Sequence, residues 1–243
     1  MDGRSAGAEA VLDALACKIK ESKAELSGQE IGNALYGLQG MDGRSAGVEA
    51  VLDALASKIK ESKADLDGQA IGIALYGLQG MEERNAGAEA VLGALASKIK
   101  ESKAELSGQN IGNALYGLQG MEGRSAGLEA VLDALAAKIK ESKAELDGQA
   151  IGNALYGLKG MNGSRAGLEA VLDALAVKIK ESKAELSSQA IGNALYGLRG
   201  MDGRSVGAEA VLAALAAKIK VSKAERDHKS IRTNCFGDCM MYG

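Results

Sequence analysis

The chain has 243 residues and a formal net charge of −3, with 25% charged, 47% hydrophobic and 3% aromatic residues and neither proline nor tryptophan. That balance, with both signs of charge mixed, describes a folded helical chain rather than a disordered one. No run reaches the roughly 18 apolar residues that span a bilayer, so no membrane partner is expected.

Read from its start, the chain repeats. Met1, Met41, Met81, Met121, Met161 and Met201 each open MDGRSAG or a close variant, a period of 40 residues. Five units are complete, and a sixth loses the pattern from Arg226 onward. Units in such arrays mainly touch their neighbours, so residues 1–225 are expected to form one elongated domain.

Each unit opens with a long helix. In the second unit Ser45 stands at the N-cap. Val48, Val51, Leu52, Leu55, Ala56 and Ile59 then recur at three- and four-residue spacing on one face. Glu49, Asp53, Ser57, Lys60 and Glu61 read as the solvated face opposite. The recurring glutamates, such as Glu9, Glu49 and Glu89, are taken as solubilising charges.

A short helix follows. Ser27, Asp67, Ser107, Asp147 and Ser187 alternate at its N-cap, and Ser27 with Glu30 matches a capping box. The first short helix runs through Ile31, Ala34, Leu35 and Leu38 toward Gly40, which suits a left-handed terminus. Gly32 and Gly37 recur inside it at roughly 1 kcal/mol each relative to alanine, which points either to close backbone approach or to faithful copying of one ancestral unit. The expected fold is all-α, a right-handed α-solenoid of 40-residue helix-turn-helix repeats.

Opposite its apolar stripe the short helix carries Gln29, Asn33 and Tyr36. The copies are Gln69, Ile73 and Tyr76; Gln109, Asn113 and Tyr116; Gln149, Asn153 and Tyr156; and Gln189, Asn193 and Tyr196. Amides offer donors and acceptors together and an aromatic ring offers a stacking surface, a combination suited to unpaired bases. Equally, the tyrosines can pack between units and the asparagines can bond a neighbouring backbone.

The segment LSGQEIGNALYGLQGM and copies such as LDGQAIGNALYGLKGM resemble the octotricopeptide repeats of algal organelles and the related repeats of RAP-domain proteins. Their pattern LxxQxxxNxLxxL is carried here by Leu26, Gln29, Asn33, Leu35 and Leu38, and EAVLDALASKIKESKADL resembles their second helix. The resemblance implies an α-solenoid that binds single-stranded RNA and guides maturation, stability or translation of organellar transcripts. The chain departs from that family in lacking the proline near the start of each unit and in carrying tyrosine where tryptophan is frequent, and no RAP domain is read in it.

The unit position that varies most near the groove holds Glu30, Ala70, Asn110, Ala150 and Ala190, the candidate reading position for a short, low-complexity RNA at about one base per unit. Charge argues the other way, because phosphate binding rests on an excess of Lys and Arg. Lysine triplets such as Lys18, Lys20 and Lys23, with the Arg44 position, would align on stacking, yet Glu21 and Glu25 sit among them and make a mixed solvated face the expectation. The competing reading is a protein scaffold of armadillo or HEAT kind, holding an extended peptide through an asparagine ladder. A third is an array without a ligand of its own.

Catalysis, a cofactor and a metal are not expected, since the complete units hold no histidine and one cysteine, Cys17. Cys235 and Cys239 near His228 lack zinc-site spacing, and free thiols in a reducing intracellular compartment are expected. Residues 226–243 replace the buried stripe with Arg226, Asn234, Cys235 and Asp238 and are read as a degenerate, poorly ordered tail. No signal or transit peptide is visible, and a plastid or mitochondrial address is kept for the case that the true start lies upstream. The uncovered apolar face of the first unit raises end-to-end self-association as a further expectation.

Overall fold

A computed structural model describes residues 6–81, 85–121, 125–161, 166–199, 201 and 205–221. The degenerate tail, its two cysteines and its histidine lie outside them, as do most copies of the Arg44 position. Long helices are α1 (Ala6–Glu21), α3 (Ala46–Glu61), α5 (Ala86–Glu101), α7 (Ala126–Glu141), α9 (Ala166–Glu181) and α11 (Val206–Val221). Short helices are α2 (Gly28–Tyr36), α4 (Gly68–Gly77), α6 (Gly108–Tyr116), α8 (Gly148–Gly157) and α10 (Ser188–Gly197).

Each long helix packs on the long helix of the next unit, and each short helix on the next short helix. The chain is therefore an α-solenoid of two layers. Val48, Val51, Leu52, Leu55, Ala56 and Ile59 are all buried, as the spacing predicts, and meet Ile71, Ala74, Leu75 and Leu78 of the short-helix layer in one continuous core. The N-caps fall where expected: Ser45 accepts from the Val48 amide, and Ser27, Asp67, Ser107, Asp147 and Ser187 each cap a short helix.

Two boundaries differ from the sequence reading. The long helix stops at Glu61 instead of running to Leu66, because Ser62 turns into extended backbone and its buried hydroxyl both accepts from the Ala64 amide and donates to the Leu26 carbonyl. The left-handed glycine, Gly40 at φ 74°, lies beyond the helix end at Tyr36, after tightened turns in which Leu38 and Gln39 donate to Leu35 and Tyr36.

The glycines of the short helix have a packing reason. A Cβ placed at Gly77, Gly117, Gly157 or Gly197 would lie 1.9–2.4 Å from the backbone of the leucine one unit earlier, a distance that no side chain adopts. The Gly32 position is roomier, with nearest contacts at 3.1–3.6 Å for Gly32, Gly72, Gly112 and Gly152. Gly93, in the middle of α5, has open space around it.

Gly117→Ala is therefore expected to lower the urea midpoint, by roughly 1–3 kcal/mol of overpacking, whereas Gly93→Ala raises it by about 1 kcal/mol through helix propensity alone. Equal effects of the two substitutions would remove close approach as the reason for the glycine.

Candidate functional site

The polar groups of the repeat divide into those the fold consumes and those it leaves open. Several charges read as solvated are consumed. Glu9 accepts from the Ser45 hydroxyl and the Gly47 amide at 2.7 and 2.8 Å, while Glu89, Glu129 and Glu169 accept from the amides of Gly127, Gly167 and Gly207 at 2.7, 2.7 and 2.8 Å. Each carboxylate thus caps the N-terminus of the next unit's long helix, where unpaired amides and the helix dipole favour an anion. These glutamates are structural rather than solubilising.

One lysine of each triplet is consumed likewise. Lys58, Lys98, Lys138, Lys178 and Lys218 donate to the carbonyls of Ser22, Ser62, Ser102, Ser142 and Ser182 in the preceding unit. Ser62, Ser102, Ser142 and Ser182 in turn donate to the carbonyls of Leu26, Leu66, Leu106 and Leu146 at 2.6–2.7 Å. The remaining lysines, such as Lys60, Lys63, Lys100 and Lys103, stay exposed.

The tyrosines stack on one another. From Tyr36 through Tyr76, Tyr116 and Tyr156 to Tyr196, successive ring centroids lie 6.0, 5.8, 5.6 and 5.4 Å apart with interplanar angles of 17–26°. A base between two rings would need about 7 Å, twice the ~3.4 Å stacking distance, so the inner faces are closed to a ligand. Only the outer face of Tyr36, 51% exposed, opens to solvent, and Tyr196 is buried.

Beside this column runs a second row that the sequence reading overlooked. The Gln39 amide donates to Gln79 at 3.1 Å and Gln79 to Gln119 at 2.8 Å. The same position holds Lys159, whose ammonium donates to the Tyr196 hydroxyl at 2.5 Å and lies 4.2 Å from that ring's centroid, and then Arg199, which is exposed. Recurrence of glutamine one residue before the left-handed glycine was the available signal.

The candidate reading position does not project into the groove as a variable side chain. Glu30 and Asn110 fold back to complete capping boxes with Ser27 and Ser107, and Ala70, Ala150 and Ala190 are only 4–5% exposed. The Ser27 amide and hydroxyl hold the exposed Glu30 carboxyl below its ordinary range.

What stays open is the amide pair. Gln29, Gln69, Gln109, Gln149 and Gln189 are exposed, Asn33 is exposed, and Asn113, Asn153, Asn193 and Ile73 are half-buried. Between α6 and α8 a groove of about 190 Å³ gathers Gln109, Asn113, Gln149 and Asn153 with the N-cap carboxylate Asp147 and with Ala150. Each carboxamide carries two donors and a two-lone-pair acceptor, and none of these four side chains takes a hydrogen bond within the described residues.

Among the described residues no cluster of His, Cys, Asp and Glu is placed to hold a metal, no helix is long and apolar enough to cross a membrane, and Cys17 is a free, exposed thiol. The fold and this face define a helical-repeat α-solenoid with a row of uncommitted amides. Compared with known proteins, the chain matches no family model, no curated protein and no solved structure.

Burial between its neighbours is the main reason the Tyr156 phenol is raised above the ordinary tyrosine pKa, with the Lys159 ammonium opposing. The neutral phenol is favoured by folding. Its contribution is therefore full below the unfolded value, about 10, and is lost as pH rises through the higher folded one. In an alkaline titration followed by phenolate absorbance, Tyr156→Phe should remove a late-ionising component; loss of amplitude only at the ordinary midpoint would contradict the burial.

Proposed function

We propose that the chain is a binding scaffold whose short-helix layer holds an extended peptide, with Gln109, Asn113, Gln149, Asn153 and their copies bonding its backbone. The observation that carries this reading is the row of carboxamides that face solvent without partners, beside a row in which Gln39, Gln79, Gln119 and Lys159 are bonded inside the fold. A peptide backbone presents alternating N–H and C=O groups, and carboxamides satisfy both.

Charge supports the same occupant. Asp147 lines the groove, the formal charge is −3, and one lysine per unit is tied to a backbone carbonyl, all of which weaken the hold on a phosphate chain. The single-stranded RNA reading implied by the octotricopeptide resemblance rests on the same amides but loses the inner tyrosine faces as stacking platforms.

The test presents the purified chain with a random peptide library and, separately, with a randomised single-stranded RNA pool at two salt concentrations. The quadruple variant Gln109→Ala, Asn113→Ala, Gln149→Ala, Asn153→Ala runs alongside. Enrichment of extended peptides, at least tenfold weaker in the variant while its urea midpoint is unchanged, is the expected result. Salt-sensitive enrichment of RNA that the variant loses would replace the peptide with RNA, and peptide binding that the variant retains would move the site elsewhere.

A further inference from the structure

The stacking that closes the tyrosine faces to a ligand gives the column a chemistry of its own. Five of the chain's six tyrosines belong to it, and the chain has no tryptophan, so apart from its three cysteines these phenols are its readiest one-electron donors. Centroids 5.4–6.0 Å apart at 17–26° put successive rings in offset face contact. Burial raises the Tyr156 phenol, the Lys159 ammonium opposes, and the charges that Tyr116 and Tyr196 would carry raise it further, which places three hydroxyls on one side of the column. The ring carbons ortho to those hydroxyls are therefore neighbours. Backbone contact at Gly77, Gly117, Gly157 and Gly197 holds the register. The edges of Tyr76, Tyr116 and Tyr156 are half-buried, so water reaches them although the ring faces are covered.

We infer that the column is a site of oxidative cross-linking, in which a one-electron oxidant joins tyrosines of neighbouring units as dityrosine. Each of two stacked phenols gives one electron to the oxidant and its hydroxyl proton to water. The two phenoxyl radicals pair to form one carbon–carbon bond between their ortho positions. The hydrogens on those carbons then move to the oxygens and restore both phenols. The chain thus loses two electrons and two protons for each bond formed. Every such bond closes a loop of one 40-residue period, which restricts the unfolded chain and ties the short-helix layer together.

The row beside the column grades the reaction. Gln39, Gln79 and Gln119 are neutral, whereas Lys159 sets an ammonium 4.2 Å from the centroid of Tyr196. A positive charge at that distance opposes loss of an electron from the ring. Burial of Tyr196 also keeps away the water that would take its proton. Coupling therefore favours Tyr76 with Tyr116 and Tyr116 with Tyr156 over Tyr156 with Tyr196, although the last pair has the shortest centroid distance, 5.4 Å. None of this depends on what the amide face binds.

The test uses the full chain carrying Tyr242→Phe, with its thiols alkylated, illuminated with a ruthenium tris-bipyridyl sensitiser and persulfate as the oxidant, in buffer and in urea. Each column tyrosine falls in a tryptic peptide of its own sequence, so mass spectrometry of the monomeric product assigns every link. Expected in buffer are dityrosine fluorescence, links between neighbouring units that each remove two hydrogens, and a raised urea midpoint for the linked fraction. Lys159→Gln, which restores the residue of the first three units, should at least double the link between Tyr156 and Tyr196. Links no more frequent in buffer than in urea, or as frequent between tyrosines two units apart as between neighbours, would overturn the inference. A parent chain in which the link between Tyr156 and Tyr196 matches the inner ones, or a Lys159→Gln chain that leaves it unchanged, would overturn the grading by Lys159.

Discussion

The backbone carbonyl of Leu35 lies against Gly77 so closely that a methyl group on that glycine would overlap it, and the same approach recurs at Gly117, Gly157 and Gly197. These glycines close the short helices, as the last residue at Gly77, Gly157 and Gly197 and as the C-cap at Gly117, and permit a packing that no other residue would. The displacement it sets between short helices, visible as the 5.4–6.0 Å tyrosine spacing, brings ring onto ring and Gln39 within hydrogen-bond reach of Gln79. With a larger side chain at that position the column and the glutamine row would both come apart.

The long-helix layer is held by different means. There the contacts between units are polar as well as apolar: a glutamate on a helix N-terminus, a lysine on a serine carbonyl, a serine hydroxyl on a leucine carbonyl. The bonds of the glutamate and the lysine are charge-assisted and stronger than surface pairs, and leaving any of the three with one partner unmet is costly. An exposed ion pair such as Lys18 with Glu21 at 2.8 Å contributes little beside them.

Periodicity made the architecture legible. The three- and four-residue spacing of Val48 to Ile59 and the alternating Ser and Asp caps placed every complete helix pair within a few residues. What periodicity cannot convey is which neighbour a polar side chain will find. Glu9 and Lys58 lie on the nominal outer face of a single helix, and only stacking brings a helix terminus or a serine carbonyl to them. The same limit applies to the amide face: Gln29, Asn33 and Tyr36 share a face by spacing, but ring stacking closes the tyrosines while the amides remain open. At position 30, sequence variation reflected capping chemistry in Glu30 and Asn110 and burial in the alanines.

The bonds between units all run along the array, so under tension they bear load in series. A serial chain of nearly equal links has no weakest point set by composition, and the links that give first are those at an end, where a unit has one neighbour instead of two. Pulled from its ends, this molecule would lengthen by discrete steps of one unit at similar force, returning by the reverse steps, and so behave as a graded extensible element rather than as a domain that fails all at once.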